Sequence, residues 1–279
     1  MNVDLELYMN INDWDERLRI ELPAIERAIE LQRGKGVLRV LDVGCGPGIH
    51  LHALASKYPR HQFVGIDLDA TRVEHARAAA AKDGLSIDYV VGDFMEYAPL
   101  PLASYDVIYS IGNSLALIWG CGNVGAVIEK VSGLLEPGGY FLFQIQNNDN
   151  PKSGYTVSKI FKLDDGTEYF TAKRYEPDRE KRMMHAELVK FIRRPGAARY
   201  ETAVEPFYWQ LIPWAEIAAL MTSYGFISVD ARGDYASTPF SPSSSADLVV
   251  LAKKALGASV LCDGKGMRVP GSWHEKKGI

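Results

Sequence analysis

The chain has 279 residues, 47 % of them apolar, and a formal net charge of −4, which fits one domain with a modest insertion around a sizeable core. The acidic balance leaves no footprint for nucleic acid, and no apolar run reaches the roughly 20 residues that a membrane helix needs. Met1 to Asn10 carries acids rather than the basic and apolar regions of a secretory signal, and the dispersed Cys45, Cys121 and Cys262 suit reduced thiols in a cytoplasmic protein.

Asp13 caps a predicted helix running from Trp14 to about Gln32, with Glu16 placed for a capping box, so residues 1–34 read as an N-terminal helical cap. Residues 35–152 then alternate strand and helix. The strands are Val37–Val43, His61–Asp67, Ser86–Gly92, Tyr105–Ile111 and Tyr140–Gln146, and the helices are Ile49–Tyr58, Ala70–Asp83 and Val124–Leu135. Such alternation of buried strands with helices implies a parallel sheet covered on both faces. From Tyr155 to Gln210 the residues become aromatic and branched, with turn signals at Asp164-Asp165-Gly166, Glu176-Pro177-Asp178 and Arg194-Pro195-Gly196. This stretch reads as three or four antiparallel strands, an inserted β lid over residues 153–211. Residues 212–254 complete the core with a helix opened by Pro213 and the strands Phe226–Ala231 and Asp247–Lys253, and residues 255–279 form a loose tail. The fold class is therefore α/β: a doubly wound, mostly parallel seven-stranded Rossmann-like sheet with helices on both faces and an antiparallel lid.

The chemistry is concentrated at the ends of the first strands. The first strand runs into Gly44-x-Gly46-x-Gly48, where glycine lets backbone approach a ligand closely. Dinucleotide enzymes use G-x-G-x-x-G; here the third glycine comes one residue early and Pro47 removes a backbone N–H that a pyrophosphate would use. A phosphate-free nucleoside such as S-adenosylmethionine has no need of that donor. Asp67 closes the second strand, 19 residues after Gly48, and is placed to accept from both ribose hydroxyls. Asp93 closes the third and is placed to accept from an adenine amino group, with Phe94 near the ring. Both sit at the carboxyl edge where open α/β sheets bind ligands.

With these features the sequence resembles the class I S-adenosylmethionine-dependent methyltransferases, over roughly residues 8 to 254. Val40-Leu41-Asp42-Val43-Gly44-Cys45-Gly46-Pro47-Gly48 is similar to their first motif, and Leu135-Glu136-Pro137-Gly138-Gly139 to the turn before their fifth strand. Within that class it resembles the branch containing glycine and sarcosine N-methyltransferases, through Trp14-Asp15-Glu16-Arg17, Gly48-Ile49-His50, Ile111-Gly112-Asn113-Ser114 and Gly233-Asp234-Tyr235. The resemblance implies that Tyr8, Trp14 and Arg17 close over the cofactor, with Arg17 on its methionyl carboxylate, and that Leu68 and Ile111 also border it. It further implies S-adenosylmethionine as cofactor and S-adenosylhomocysteine as product.

One departure bears on the substrate: where the branch has an arginine after the fifth strand, this chain has Gln146, which lacks the bidentate charge-assisted grip on a carboxylate. Arg174, in Lys173-Arg174-Tyr175, is a cation within reach from the lid, although an outward-facing arginine is the simpler expectation. The expected acceptor is a small molecule carrying an amine or, as the alternative, a hydroxyl. Asn113, Gln146 and Tyr208 are the residues expected to orient it. No metal, nucleic acid or membrane is expected, since no acid follows the fourth strand to match Asp149 and no histidine shows ligand spacing. A catalytically inactive S-adenosylmethionine-binding regulator is the non-enzymatic alternative, and exposed lid edges leave room for a homo-oligomer.

Overall fold

In the computed structural model, residues 3–99, 104–120 and 123–257 are described. Cys121, Cys262 and most of the expected C-terminal tail lie outside them. Two helices open the chain, α1 (Val3–Ile11) and α2 (Trp14–Glu30). The Asp13 side chain accepts the Glu16 N–H at 3.1 Å and caps α2. The capping box is only half made, because the Glu16 carboxylate pairs with Arg19 instead of reaching back. The short helix α1 was not separable in the sequence from the longer helix after it.

Then come β1 (Arg39–Val43), α3 (Ile49–Lys57), β2 (Gln62–Asp67), α4 (Ala70–Lys82), β3 (Ile87–Val91), β4 (Tyr105–Ser110), α5 (Ser114–Trp119), α6 (Val124–Leu134) and β5 (Leu135–Gln146). The period-two alternation of the strands divides the core between two faces. Leu41, Val43, Phe141 and Phe143 pack with the buried stripes of α6 (Val127, Ile128, Val131) on one side. Val40, Tyr109 and Leu142 pack with Ile25, Leu51, Leu54, Val73 and Ala76 of α2, α3 and α4 on the other. The chain closes the sheet with α7 (Trp214–Ser223), β11 (Phe226–Arg232) and β12 (Asp247–Lys254).

The seven strands lie in the order β11-β12-β5-β4-β1-β2-β3. β1 pairs in parallel with both β2 and β4, while β12 runs antiparallel between β5 and β11. Chain order therefore reverses between β1 and β4, which opens a crevice at their carboxyl ends.

Between β5 and α7 the lid forms a second sheet from β6 (Gly154–Val157), β7 (Phe161–Lys162), β8 (Glu168–Asp178), β9 (Met183–Arg193) and β10 (Glu201–Gln210). It has five strands where the turn signals suggested three or four, the additional one being the two-residue β7, too short to leave a pattern. The lower end of the lid joins the main core, since Met184, Ala186 and Trp209 are buried with Phe143 and Ile212. Its upper face has an aromatic cluster of its own, with Phe170 stacked on Phe191 at 4.4 Å between ring centroids.

The turn after β1 is the tightest point of the fold. Gly48 has φ +74°, and a Cβ there would lie 2.8 Å from the Ala76 Cβ and overlap the Tyr89 hydroxyl. Gly48→Ala therefore combines a left-handed strain with an overpacked contact, and a loss of roughly 2–3 kcal/mol is expected. Thermal denaturation should show a fall in Tm of ~5–10 °C; an unchanged Tm would mean that the α3–α4 packing yields freely.

Candidate active site

The glycine turn faces a cavity of about 540 Å³ lying between the carboxyl edge of the main sheet and the lid, within the range usual for small-ligand sites. The Gly44 and Cys45 N–H groups donate to Ile66 O at 2.8 and 3.1 Å, and the Gly46 N–H donates to the Asp67 carboxylate at 2.7 Å. A Cβ on Gly46 would meet only the Tyr8 hydroxyl, at 3.8 Å. The middle of the turn is therefore open toward the cleft.

The N-terminal helices wall this end. Tyr8, Trp14 and Arg17 line the cavity. The Arg17 guanidinium lies 4.8 Å over the Trp14 ring and donates from Nε to Glu21 at 3.0 Å. The second Glu21 oxygen meets His50 Nε2 at 2.7 Å. Burial alone would raise the Glu21 carboxyl, yet its hydrogen bonds with His50 and Arg17 outweigh that and hold it below the usual carboxylate range. The Arg17–Glu21–His50 chain holds the guanidinium in the cleft; Nη1 also donates to Asn12 Oδ1 at 3.4 Å, and Nη2 is left for an anion.

Ile111, Gly112 and Asn113 form the floor beside it. Asn113 is left-handed at φ 64°. Its N–H donates to Gln144 Oε1 and its Oδ1 accepts the Gln146 N–H, both at 3.0 Å. Gln144 Nε2 donates in turn to the Asp247 carboxyl at 2.8 Å, whose pKa burial pushes up. The backbone N–H and the side-chain Oδ1 of Asn113 are thus committed, and Nδ2 is the side-chain group left for a ligand. The Gln146 side chain also lines the cavity.

The other expected residues sit elsewhere. Asp67, Leu68, Asp93 and Phe94 lie outside the enclosed cleft, around the adjacent ends of β2 and β3. Asp67 accepts from Gly46 and from the Asp69 N–H at 2.9 Å, so it braces the turn. Asp93 is exposed and accepts the Met95 N–H at 2.8 Å, while Leu68 is 71 % exposed and offers an apolar face. The Phe94 ring belongs to the core at 3 % exposure and does not face a ligand. Gly48 is packed against α4, as described above. Tyr208 is on the wrong face of its strand: β10 points Phe207 and Trp209 into the cleft, and Tyr208 stands edge-on to His185 in an outer groove of the lid. Strand alternation decides between these neighbours, and an aromatic run conceals it.

Two cleft residues carried no sequence signal of their own: Glu21 is buried under the helix cap, and Asp247 is brought in by the antiparallel return of β12. His50 and Tyr235, from the motifs of the resemblance, lie beside them in the cleft. The lid does send in a cation, but it is Lys173 and not Arg174, which pairs outward with Glu176 at 2.5 Å and Glu187 at 3.5 Å. No described group of histidine, cysteine and carboxylate side chains has the arrangement of a metal site, and no described helix is long and apolar enough to cross a membrane.

Residues 40–139 match the family model described as "Methyltransferase domain". A sterol 24-C-methyltransferase from Gibberella zeae is 27 % identical over 191 residues, covering 62 % of this chain and 45 % of that protein. The chain thus spans less than half the length of that relative. A solved S-adenosylmethionine-dependent methyltransferase from Clostridium acetobutylicum has the same fold, with a TM-score of 0.65 at 17 % identity over 90 % of this chain and 95 % of that one. So has an amino pentose methyltransferase from Micromonospora echinaspora, with a TM-score of 0.63 at 18 % identity over 91 % and 98 %. Residues 40–139 thus match a methyltransferase-domain model, on a seven-stranded Rossmann-like sheet whose fold those two solved structures share.

Asp42, on the cavity floor, has its carboxyl pushed up to about 8, by burial above all, with the charges of Asp67 and Glu21 adding. The folded chain thus keeps a proton that the unfolded chain releases at about pH 4, so folding loses stability as pH rises between those values. Asp42→Asn removes that penalty. Its Tm relative to the parent should climb steadily from pH 4 to pH 8; a pH-independent difference would show that Asp42 is ionised in the fold.

Proposed function

We propose that the protein transfers a methyl group from S-adenosylmethionine to a small-molecule nucleophile, an amine nitrogen before a hydroxyl, by in-line displacement. The observation that carries this reading is the single cleft that joins the glycine turn, Arg17 and Asn113 to the apolar underside of the lid. Its dimensions and chemistry fit that cofactor, with an open turn at Gly46 and a guanidinium for the methionyl carboxylate; beyond its edge, the carboxylates of Asp67 and Asp93 at the ends of β2 and β3 would take the ribose and adenine. S-adenosylmethionine supplies, when bound, a methyl group already activated on a sulfonium.

The protein's own part is alignment and exclusion of water. Asn113 Nδ2 and the Gln146 amide hold the acceptor at the strand edge, on backbone fixed by the bond from Asn113 N–H to Gln144 and by the bond from Gln146 N–H to Asn113 Oδ1. Positioning of this kind can supply about 7–11 kcal/mol of a barrier. From above, Tyr175, Phe207 and Trp209 close the cleft with aromatic faces, which exclude water and suit an amine that arrives as its ammonium. The amino pentose methyltransferase of the same fold supports nitrogen as the acceptor atom. The likeness to the glycine and sarcosine N-methyltransferase branch rests on the motifs around Arg17, His50 and Asn113, with Gln146 replacing the arginine of that branch. A hydroxyl acceptor is the second reading, favoured by Asp247, a cleft carboxyl whose burial raises its pKa toward the range of a useful base.

Calorimetric titration with S-adenosylhomocysteine tests the cofactor site. The parent is expected to bind with a micromolar Kd, about −8 kcal/mol, and Arg17→Met and Asp67→Ala to lose at least tenfold. Turnover against amines, then hydroxyls, follows on the same samples. Absence of heat and of any Tm shift would sink the reading, whereas binding without turnover of any acceptor would favour the regulator.

A further inference from the structure

The cleft-facing rows of the lid can be read from its register. Lys173, Leu188 and Glu205 form one row across β8, β9 and β10; Tyr175, Ala186 and Phe207 form the next, and Pro177, Met184 and Trp209 the third. The ceiling is therefore an apolar and aromatic slab with a cation at one end of its first row. Leu188 separates Lys173 from Glu205 by two strand spacings, about 10 Å, and Glu205 is taken by Lys190 at 2.5 Å. Among the described residues no carboxylate lies within ion-pair distance of Lys173, and the charge that acts on it is Arg17, of the same sign. Arg17 is already matched by Glu21. The cofactor's carboxylate, if held by Arg17, still leaves Lys173 unmatched.

We infer that the methyl acceptor carries an acid group, a carboxylate or a phosphate, and that Lys173 reaches down from the lid to hold it. The inference rests on the methyl-transfer reading above and deepens it. The ammonium takes the place of the arginine missing at Gln146, from the opposite wall of the cleft. Lys173 is exposed toward the open cleft; its pKa is lowered by desolvation and by Arg17, and an anion beside it offsets both by its opposite charge. The aromatic rows beside it cover the uncharged part of the same molecule.

The test is a matched panel on protein saturated with S-adenosylhomocysteine, with turnover measured in parallel. β-Alanine, 4-aminobutyrate and aminoethyl phosphate are set against ethylamine, butylamine and ethanolamine, in the parent, Lys173→Met and Lys173→Arg. At least one acid-bearing probe should bind tenfold or more tightly than its neutral counterpart. Lys173→Met should erase that preference, Lys173→Arg should keep most of it, and the Kd for S-adenosylhomocysteine should not move. Equal or better binding of the neutral amines overturns the inference, as does failure of every acid-bearing probe to bind. A Lys173→Met protein that loses S-adenosylhomocysteine and keeps the acid preference assigns the lysine to the cofactor instead. Loss of S-adenosylhomocysteine binding by the parent itself would strike the methyl-transfer reading, a different result from any of these.

Discussion

Asn113 can remain left-handed at φ 64° because two neighbouring residues of one strand hold it there. Gln144 accepts its N–H and the Gln146 N–H bonds its side-chain oxygen. A non-glycine residue in that region stores strain and persists only where the surroundings over-determine it. Here they do so through β5, which is itself fixed between β4 and β12. The ends of three strands are thus tied to the loop that begins α5. Ser114, the next residue, lies against Gly44, where a Cβ would come 2.7 Å from the Ser114 Cβ. The position of the acceptor floor and that of the glycine turn are consequently one constraint. A ligand that touches both meets a prearranged surface, and little ordering remains to be done on binding.

The charges of the site show the same economy. Glu21, buried, is shared by Arg17 and His50, so one carboxylate orients a cofactor-facing guanidinium and anchors the start of α3. Removing one partner from such a buried set leaves an uncompensated charge, which ties the cap helix to the turn it covers. The cap is tied to the lid as well, since Asn10 Nδ2 donates to the Tyr169 hydroxyl at 2.6 Å. The two walls of the cleft are therefore coupled at its upper rim, while Trp209, Met184 and Ala186 root the lid in the core below.

The sheet was legible because its strands are buried on both faces and leave uninterrupted branched runs, as in Val40–Val43 and Phe63–Ile66. The glycine turn and the carboxylates after β2 and β3 could be read because each lies beside such a run. What stayed hidden depends on contacts across the chain. The short α5 has too few residues to show a period, and β7 fewer still. Glu21 looks like one acid among many on a charged helix until His50 arrives from 29 residues away. Asp247 and Gln144 meet over 103 residues, and no local pattern marks a pair of that kind. Tyr208 and Arg174 show a finer limit: each is adjacent to a residue that does face the cleft, and a shift of one in a strand inverts the face.

The lid gains its meaning from that alternation. Its outer rows spend their charges on one another, as in the Arg174 pairs with Glu176 and Glu187. Its inner rows spend none in the region of Tyr175 and Phe207. An apolar ceiling alone would give water exclusion without selectivity, because apolar contact discriminates weakly between molecules of similar size. The main sheet supplies amides at Asn113 and Gln146, which orient a nucleophile but carry no charge to choose by. Selectivity must then come from a charged group that neither surface has already neutralised, and within the described cleft Lys173 on the first row of the lid meets that condition. On the methyl-transfer proposal, the Rossmann-like sheet would fix what reaction is possible and the inserted sheet which molecule undergoes it.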